Sequence, residues 1–389
     1  LEAGSTFTLA INICTFLYAG ILIHRSRIAN INQLIDVSPT KNWVLFGSKF
    51  LAIFKMQIAL SSLIMITGLI FQTYKGFYDY EISLYLYELI VLNLIYFILW
   101  SFLAFLVQTL ISSPYVGLFV MIVLLIGIPL LGLAGIEQSI FKYTQGPGFS
   151  YSDMNGYGDT LNRYFIYKTY WFSLGIVFFI LTSLFYFRGL PSNFKERVLI
   201  AKSRFNGKYP FFISLFTLIF LSSGTYIYYT NNILNKRTSS KESELQTVEG
   251  EKKYKKYEAY AQPRIVSVNV DVDISPKTRD LSASGEYLMI NKTQESIDSI
   301  FLDHNSLIST FKFNKENNLV LEDTIYNLDI YKLKSPLKPG DSLKLEFSIK
   351  NKPNTILRNN SSVINDNPIK LEELTKTEID IDSKNENLI

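Results

Sequence analysis

The organisation of this chain is decided within residues 211–275, where three kinds of sequence follow one another. The stretch begins with FFISLFTLIFLSSGTYIYYT (211–230), continues with NNILNKRTSSKESELQTVEGEKKYKKYEAYAQPR (231–264) and ends with IVSVNVDVDIS (265–275). The first part is apolar over the length of a bilayer, the second is charged, and the third alternates apolar and polar residues as a strand does. We therefore expect a polytopic α-helical membrane domain followed by an extracytoplasmic all-β domain.

Long apolar runs fill the chain before residue 231. A helix of about 20 residues, rising about 1.5 Å per residue, crosses a bilayer. Six runs meet this length and predict a membrane domain over residues 1–230, with spans at 6–23, 50–71, 84–110, 115–136, 169–187 and 210–230. Pro129 predicts a bend in the fourth span. Asn12, Gln57 and Asn93 lie inside spans, where hydrogen bonding between helices is their more frequent role and a substrate path is the alternative.

Basic residues are concentrated in two connections between the predicted spans. One connection contains Arg25, Arg27 and Lys41, and the other, residues 188–209, contains six Lys and Arg residues. The positive-inside rule places both in the cytoplasm, so the chain after residue 230 lies outside. Within the first connection, residues 28–35 have apolar side chains at helical spacing, which predicts a short amphipathic helix on the cytoplasmic surface.

Seven segments after residue 263 have the pattern of strands. In the first, a valine or isoleucine occupies every second position from Val266 to Ile274, which predicts a half-buried strand. The others are predicted at 281–290, 297–302, 308–313, 319–322, 326–333 and 343–349. We expect an antiparallel sheet or sandwich over residues 265–350, incomplete at its end, with a type II turn centred on Pro339 and Gly340.

Two polar segments flank the predicted β-domain. Residues 231–264 are rich in Lys, Glu and Ser, and Tyr254, Tyr257 and Tyr260 share one helical face, which predicts a solvated stalk with a short helix. Residues 351–389 have only scattered apolar side chains and predict a loop-like tail. The net charge of +4 is modest and its basic residues lie beside apolar spans, so we expect the lipid bilayer, and no nucleic acid, as a partner.

Candidate catalytic groups are scarce. The histidines of the sequence are His24 and His304, which the predicted topology separates by the membrane, and the single cysteine, Cys14, lies in an apolar run. The sequence has no His-Glu-x-x-His, no Cys-x-x-Cys and no phosphate-binding Gly-rich loop. Asp271 and Asp273 alternate along a strand and are expected to be solvated. We therefore predict no catalytic, cofactor-binding or metal-binding residue within this sequence.

One stretch resembles the type-2 permeases of ATP-binding-cassette exporters. It is IHRSRIANINQLIDVSPTKNWVLFGSKF (23–50), in which a segment with an Arg-x-Arg, Asp and Pro pattern precedes the next span. The resemblance implies that Arg25, Arg27, Asp36 and Pro39 contact a separate cytoplasmic ATPase. Membrane orientation and helix ending are the alternative roles of these residues. The resemblance also implies a second permease half or subunit and a location in the bacterial inner membrane.

A second stretch, residues 254–347, resembles the N-terminal β-domain of aminopeptidase N-like zinc metallopeptidases, which in some bacterial proteins is fused behind permease spans. The resemblance depends on YKKYE (254–258), QPRI (262–265) and PLKPGDSLKLEF (336–347). The His-Glu-x-x-His motif and the Gly-x-Met-Glu-Asn substrate motif of that family are absent from this sequence. Zinc is therefore expected only in a longer, intact protein.

Three hypotheses about function follow. The first is a permease component of an exporter, driven by ATP hydrolysis on a partner. The second is a membrane-anchored zinc aminopeptidase whose catalytic part lies beyond Ile389, although one span suffices as an anchor. The third is a non-catalytic binding or sensor module outside the membrane. The chain begins with Leu1, and residues 1–5 lack the basic flank and cleavage site of a signal peptide, so we expect further sequence upstream. Since the first predicted span runs from outside to inside, whereas a permease half starts in the cytoplasm, one upstream span would complete six and leave residues 210–230 as an extra anchor.

Overall fold

The computed structural model describes residues 3–152, 156–158, 160–186, 194–234, 239–275, 280–303, 308–326 and 328–351. The chain divides into two compact units, with the boundary between Asn231 and Asn232. The described part of the first unit is helical, and that of the second contains two antiparallel sheets. The predicted order of a helical region followed by a β-region is confirmed, and His304, Arg188 and the tail from residue 352 onward lie outside the described residues.

The first unit is built from apolar helices. They are α1 (Ala3–Ile28), α2 (Asn32–Val37), α3 (Asn42–Tyr74), α4 (Ile82–Leu86), α5 (Asn93–Leu110), α6 (Pro114–Leu130), α7 (Thr160–Phe185), α8 (Phe194–Arg204) and α9 (Lys208–Tyr228). A π-helical turn joins α4 to α5, and another continues α9. Among the described residues, five helices are long and apolar enough to cross a membrane: Phe7–Ile28, Asn42–Tyr74, Ile82–Leu110, Thr160–Phe185 and Lys208–Ile233.

The fourth predicted span, residues 115–136, differs from the helix observed there. α6 has 17 residues and ends at Leu130. At about 1.5 Å per residue it is about 25 Å long, which is less than the apolar thickness of about 30 Å. Pro129 removes a backbone donor from the last turn. A series of turns follows as far as Gly135, which has a φ of +86°. The bend predicted at Pro129 is therefore the end of the helix.

Two other spans begin earlier than the hydropathy predicts. α3 begins at Asn42 instead of residue 50, and α7 begins at Thr160 instead of residue 169. Lys49 in the added part of α3 donates to Tyr186 Oη at 3.0 Å, and Lys168 in the added part of α7 is buried. A charged side chain lowers the mean hydropathy of a segment, but contacts within the protein stabilise these two side chains. The spans are consequently longer than the apolar runs.

The centre of the first unit is α5. It contacts α1, α3, α6 and α7, and half of the most apolar part of Ile82–Leu110, the helical segment that contains α5, is buried, whereas most of α3 and α9 is not. Aromatic rings fill the contacts; Phe50 of α3, for example, stacks on Phe102 of α5 at 5.0 Å between ring centroids. Gly175 permits the close approach of α7, because a Cβ at this position would lie 2.5 Å from Phe102 Cδ2. α3 and α9 mainly face outward.

Seven strands form the sheets of the second unit. They are β1 (Arg264–Ser275), β2 (Asp280–Ile290), β3 (Ile297–Asp303), β4 (Ile308–Phe313), β5 (Asn317–Asp323), β6 (Leu328–Leu337) and β7 (Ser342–Asn351). One sheet has the order β1-β2-β7-β4 and the other β3-β6-β5, and each described pair is antiparallel. Each strand overlaps its prediction. In the turn before β7, Asp341 N–H donates to Lys338 O and Gly340 has a φ of +83°, which confirms the type II turn.

A core between the two sheets contains apolar side chains of β2, β3, β4, β6 and β7, with Leu337 and Leu343 fully buried. No described side chain of β1 belongs to this core. Its register puts Val268, Val270, Val272 and Ile274 on the same face of the sheet as Leu343, yet all four are exposed. The prediction that β1 is half-buried is wrong, because the three-stranded sheet does not extend over this edge of the four-stranded sheet.

The predicted stalk is a helix that packs on the second unit. α10 (Ser240–Tyr254) is capped by Ser239, whose Oγ accepts from Glu242 N–H. The ring of Tyr257 lies 5.2 Å from that of Phe301, and Tyr260 contacts the same ring at 5.8 Å. The shared tyrosine face was predicted correctly, but these tyrosines bind the β-sheet. A freely solvated stalk is therefore not observed in this segment.

Candidate functional site

Buried polar side chains connect helices inside the first unit. Gln57 of α3 is fully buried, and its Nε2 donates to Thr15 Oγ1 at 3.1 Å and Ser101 Oγ at 2.7 Å. These bonds join α3 to α1 and α5, which is the structural role expected of an amide in a span. Asn12 is also buried, with Nδ2 3.5 Å from Tyr96 Oη, whereas Asn93 is only half-buried. Gln57 thus serves as a link between helices.

Lys168 of α7 is a cation inside the same unit, and only 8% of its surface is exposed. Its Nζ donates to Thr144 O at 2.9 Å and lies 5.1 Å from the ring centroid of Tyr164 and 5.6 Å from that of Tyr96. Thr144 has a φ of +66°, a conformation that non-glycine residues seldom adopt. The carbonyl and the two aromatic faces together stabilise the buried charge. The span predicted at 169–187 begins after Lys168, so this arrangement was not predicted.

The connection between α6 and α7 packs into the helical unit near residues 139–146. Side chains of α7 hold its backbone: Tyr170 Oη donates to Ile140 O at 3.2 Å, and Trp171 Nε1 donates to Gln145 O at 2.7 Å. Tyr143 is buried and donates to Leu99 O at 2.7 Å. Irregular backbone is tolerated at such positions where protein groups satisfy it. In the sequence, only the aromatic residues of this connection indicate that it packs against the helices.

The residues predicted to contact an ATPase lie around α2. Arg25 and Arg27 belong to the last turn of α1, Asp36 lies in α2, and Pro39 follows it. Arg25 and Pro39 are exposed and Arg27 is partly buried, while the side chain of Asp36 is outside the described part. The predicted amphipathic helix at 28–35 is shifted, because α1 continues to residue 28 and a turn precedes α2.

α2 presents an apolar surface, which we call the α2 surface. It consists of Leu34, exposed at 79%, and Val37, exposed at 85%, with Trp43 at the start of α3 also exposed. The helix has six residues and lies in the connection between two helices that are long and apolar enough to cross a membrane. Large apolar side chains that protrude together from a short connection are suited to a partner protein or to the lipid interface.

A small polar cavity lies beside the end of α1 and has a volume of about 20 Å³. Its lining includes His24, Ser26 and Arg27 of α1, Asn32 of α2, Gln108 and Thr109 of α5, and Tyr186. His24 donates from Nε2 to Gln108 O at 3.1 Å, since a carbonyl oxygen only accepts. Thr109 is buried, and its Oγ1 has no hydrogen-bond partner. The cavity therefore offers several donors and one unsatisfied hydroxyl.

In the second unit, Asp323 at the end of β5 accepts hydrogen bonds on both carboxylate oxygens. Lys253 Nζ donates to its Oδ2 at 2.5 Å, Tyr254 Oη donates to the same oxygen, and the amide of Ile325 donates to Oδ1 at 3.0 Å. The hydrogen bonds from Lys253 and Tyr254 hold the pKa of Asp323 well below its usual range, and the bond to Asp323 raises the pKa of Lys253. Asp323 thereby fixes α10 to the sheet.

The described residues contain no group of three or more His, Cys, Asp or Glu side chains that could hold a metal ion. They consequently do not fit the zinc ion that the aminopeptidase resemblance implies for an intact protein, and zinc has no part in the chemistry considered below. Comparison of the chain with protein-family models, with curated proteins and with solved structures found no match.

Proposed function

We propose that this chain is the transmembrane component of an ATP-driven exporter and that it carries a peptidase-like β-domain on the outer side of a bacterial inner membrane. The ATPase is a separate cytoplasmic protein of the ATP-binding-cassette class. A second permease half or subunit completes the path. The cargo is moved by the helical unit, and the β-domain receives it or binds a further domain.

The observation that carries this proposal is the α2 surface. Leu34 and Val37 are more exposed than most apolar side chains that the structure describes, and they lie in a connection that follows Arg25 and Arg27. Basic residues of this kind favour the cytoplasmic side. A short helix with apolar side chains fits a groove of a partner, where it transmits movement to α1 and α3. A simple membrane anchor would have no use for several packed spans.

Site-specific photo-crosslinking tests the proposal. A photoreactive amino acid replaces Leu34 in the full chain, and irradiation of native membranes traps its neighbours. We expect a crosslinked polypeptide that contains a Gly-x-x-x-x-Gly-Lys-Ser/Thr nucleotide-binding loop. The matched control carries the same amino acid in place of Tyr74, an exposed residue at the opposite end of α3, and should not trap this polypeptide.

Two results would contradict transport. One is that the Leu34 position crosslinks to lipid alone, which would make α2 an interfacial anchor. The other is that Arg25, Arg27 and Asp36 are all replaced without loss of ATPase association or export. Leu34→Asp should weaken ATPase association, because a charge opposes burial in an apolar groove, and its expression level in the membrane reports any folding defect separately.

The exposed row of β1 supports a second candidate function, a non-catalytic binding module. Val268, Val270, Val272 and Ile274 form a continuous apolar strip at a sheet edge. Such a strip suits an interaction with another protein or domain. The membrane-anchored peptidase of the second hypothesis would need catalytic residues beyond those described. Sequence downstream of Ile389 that contained His-Glu-x-x-His would favour the peptidase over this binding module.

A further inference from the structure

The cavity beside the end of α1 has the chemistry of a phosphate site. Hydrogen-bond donors converge on it from different helices, with Arg27 and Ser26 on α1 and Asn32 on α2. No acidic residue is among the described residues that line it. Thr109 adds a hydroxyl that is buried in the protein and has no partner there. An unsatisfied buried hydroxyl costs free energy unless a ligand or water completes its hydrogen bonding.

Two further cations lie in the neighbourhood of the cavity. Arg27, Lys49 and Arg197 are each close enough to His24 to interact with it electrostatically. Arg197 is buried and donates to Ser112 Oγ at 3.2 Å and Leu110 O at 3.4 Å, which holds its guanidinium at the end of α5. These cations come from α1, α3 and α8. Of the three cations only Arg27 lines the cavity, and Lys49 and Arg197 add positive charge near His24, which favours an anion.

The volume of the cavity limits what enters it. About 20 Å³ is sufficient for one water-sized group. A phosphate can insert one oxygen and leave its ester groups at the surface. The cavity lies at the end of a membrane-crossing helix, near exposed Ile28 and Ile31. A headgroup phosphate is held at this depth by its acyl chains, and basic pockets between spans on the cytoplasmic side are suited to anionic lipids.

We propose that this cavity binds a phosphate oxygen of an anionic lipid headgroup in the cytoplasmic leaflet. Arg27 supplies the charge, and Ser26, Asn32 and Thr109 donate hydrogen bonds. The bound lipid contacts α1, α2 and α5, and thus links α2 to the helices that line the cavity with it. This inference does not depend on the proposed transport function, and it assigns Arg27 a ligand separate from the ATPase.

Native mass spectrometry and thermal unfolding of the purified full chain in an uncharged detergent test the proposal. Phosphatidylglycerol is added to one sample, phosphatidylcholine to a second and inorganic phosphate to a third. We expect phosphatidylglycerol to remain bound and to raise the Tm, since a ligand that binds the native state stabilises it. Phosphatidylcholine, which has no net charge, should give a smaller shift, and inorganic phosphate should not compete with phosphatidylglycerol.

Substitutions separate a ligand role from a structural one. Arg27→Gln should weaken phosphatidylglycerol binding by about fivefold, from about 1 kcal/mol per basic residue near the membrane surface. Arg25→Gln is the matched control, because Arg25 is exposed in the same helical turn and does not line the cavity. Thr109→Val should also weaken binding, yet it should not lower the lipid-free Tm, because it removes an unsatisfied buried hydroxyl.

Several results would overturn the proposal. If Arg27→Gln and Arg25→Gln bind phosphatidylglycerol with equal affinity, the cavity is not the lipid site. If inorganic phosphate displaces the lipid or gives an equal Tm shift, the cavity binds free phosphate and the lipid assignment is wrong. If Thr109→Val lowers the lipid-free Tm without affecting lipid binding, the hydroxyl serves the fold alone. The lipid readouts are independent of ATPase crosslinking, so failure of either proposal is distinguishable.

Discussion

Leu63 of α3 and Val268 of β1 are equally exposed, at 56% each, but the two side chains belong to segments of different chemical character. Leu63 lies in a helix suited to a bilayer, where lipid chains are as apolar as leucine and exposure to them costs little. Val268 lies in a charged, cysteine-free unit, where exposure to water forfeits the free energy of burial. The same exposed fraction is ordinary in the first unit and marks an uncovered surface in the second.

The comparison extends to what holds each unit together. In the helical unit, small residues and internal hydrogen bonds set the contacts, as at Gly175 and Gln57. In the β-unit, burial of large apolar side chains such as Leu343 between two sheets is the main source of stability. A substitution that enlarges a side chain should therefore be most destabilising at small contact residues of the helical unit. A substitution that shortens a side chain should be most destabilising at large core residues of the β-unit.

The largest expected effect separates the covered and uncovered parts of one β-sheet face. Leu343→Ala should reduce the free energy of unfolding of the second unit by about 2–5 kcal/mol, because it leaves a cavity in the core. Ile274→Ala removes a side chain of similar size from the exposed row and should cost about 0.5 kcal/mol. Hydrogen exchange of β2 and β7 amides in the full chain measures both changes.

Equal effects of these two substitutions would contradict the view that the β1 row is uncovered, because they would mean that Ile274 is covered in solution. Protection of β1 amides would then identify the covering surface. Val272→Ala is an additional control, since this exposed valine lies on the same row and faces the same solvent. Its effect should be as small as that of Ile274→Ala.

A smaller effect is expected from glycine substitutions in the helical unit. Gly175→Ala should lower stability by about 1–3 kcal/mol, because the added methyl group overpacks the contact between α7 and Phe102. Gly127→Ala, in α6, meets nothing within 4 Å and should be neutral or slightly stabilising through helix propensity. The Tm of each full-length variant in detergent, monitored by tryptophan fluorescence, compares them. Equal Tm values would show that α5 and α7 separate without cost.

The smallest effect should be a pH dependence of the second unit. The folded pKa of Asp323 is lowered, so its stabilising contribution is fully present above its unfolded pKa, about 3.9, and is lost as pH falls through the lower folded value. Lys253 is half exposed, at 51%, so solvent screens part of the interaction. Asp323→Asn should reduce the protection of α10 at neutral pH and lessen its loss on acidification.

Hydrogen exchange of α10 and β5 at a series of pH values from about 6 to about 1 measures this dependence, because the loss begins below the unfolded pKa and continues to the lower folded value. Asp271→Asn is the control, because it removes an exposed carboxylate from β1 and no bond to α10. If the Asp323 and Asp271 variants lose protection in parallel with the unchanged chain, the attachment of α10 does not depend on the Asp323 carboxylate. α10 would then be held mainly by its aromatic contacts, including Tyr254 with Tyr326.

Much of the fold was accessible from sequence because its signals are local. Alternation with period two located each strand, and 308–313 was predicted with the observed bounds. The turn at Pro339 and Gly340 follows from the conformational preferences of these two residues. The ends of α3, α6 and α7 were missed, because contacts such as Lys49 with Tyr186 lie far apart in the chain and do not enter a hydropathy sum.

The candidate sites were less predictable. Arg25, Arg27, Asp36 and Pro39 were singled out from a pattern, and the structure adds the exposed Leu34 and Val37 between them. The cavity beside the end of α1 was not predicted, since Arg27 and Thr109 are far apart in sequence and Thr109 lies in an apolar run. The burial of Lys168 was also missed, because its partner, Thr144, lies 24 residues earlier in the connection before α7, and a hydropathy sum does not include such a contact.

The sequence by itself determined that apolar helices precede an antiparallel β-region, that the change occurs near residue 231, and that basic connections flank particular spans. These properties depend on composition and on periodicity within one segment. Only the tertiary structure decided that β1 remains uncovered, that α10 binds the sheet through Asp323, and that Arg27 and Thr109 line one cavity. The burial of a side chain and the meeting of side chains in one cavity depend on which distant segments come into contact. No local sequence pattern specifies these contacts.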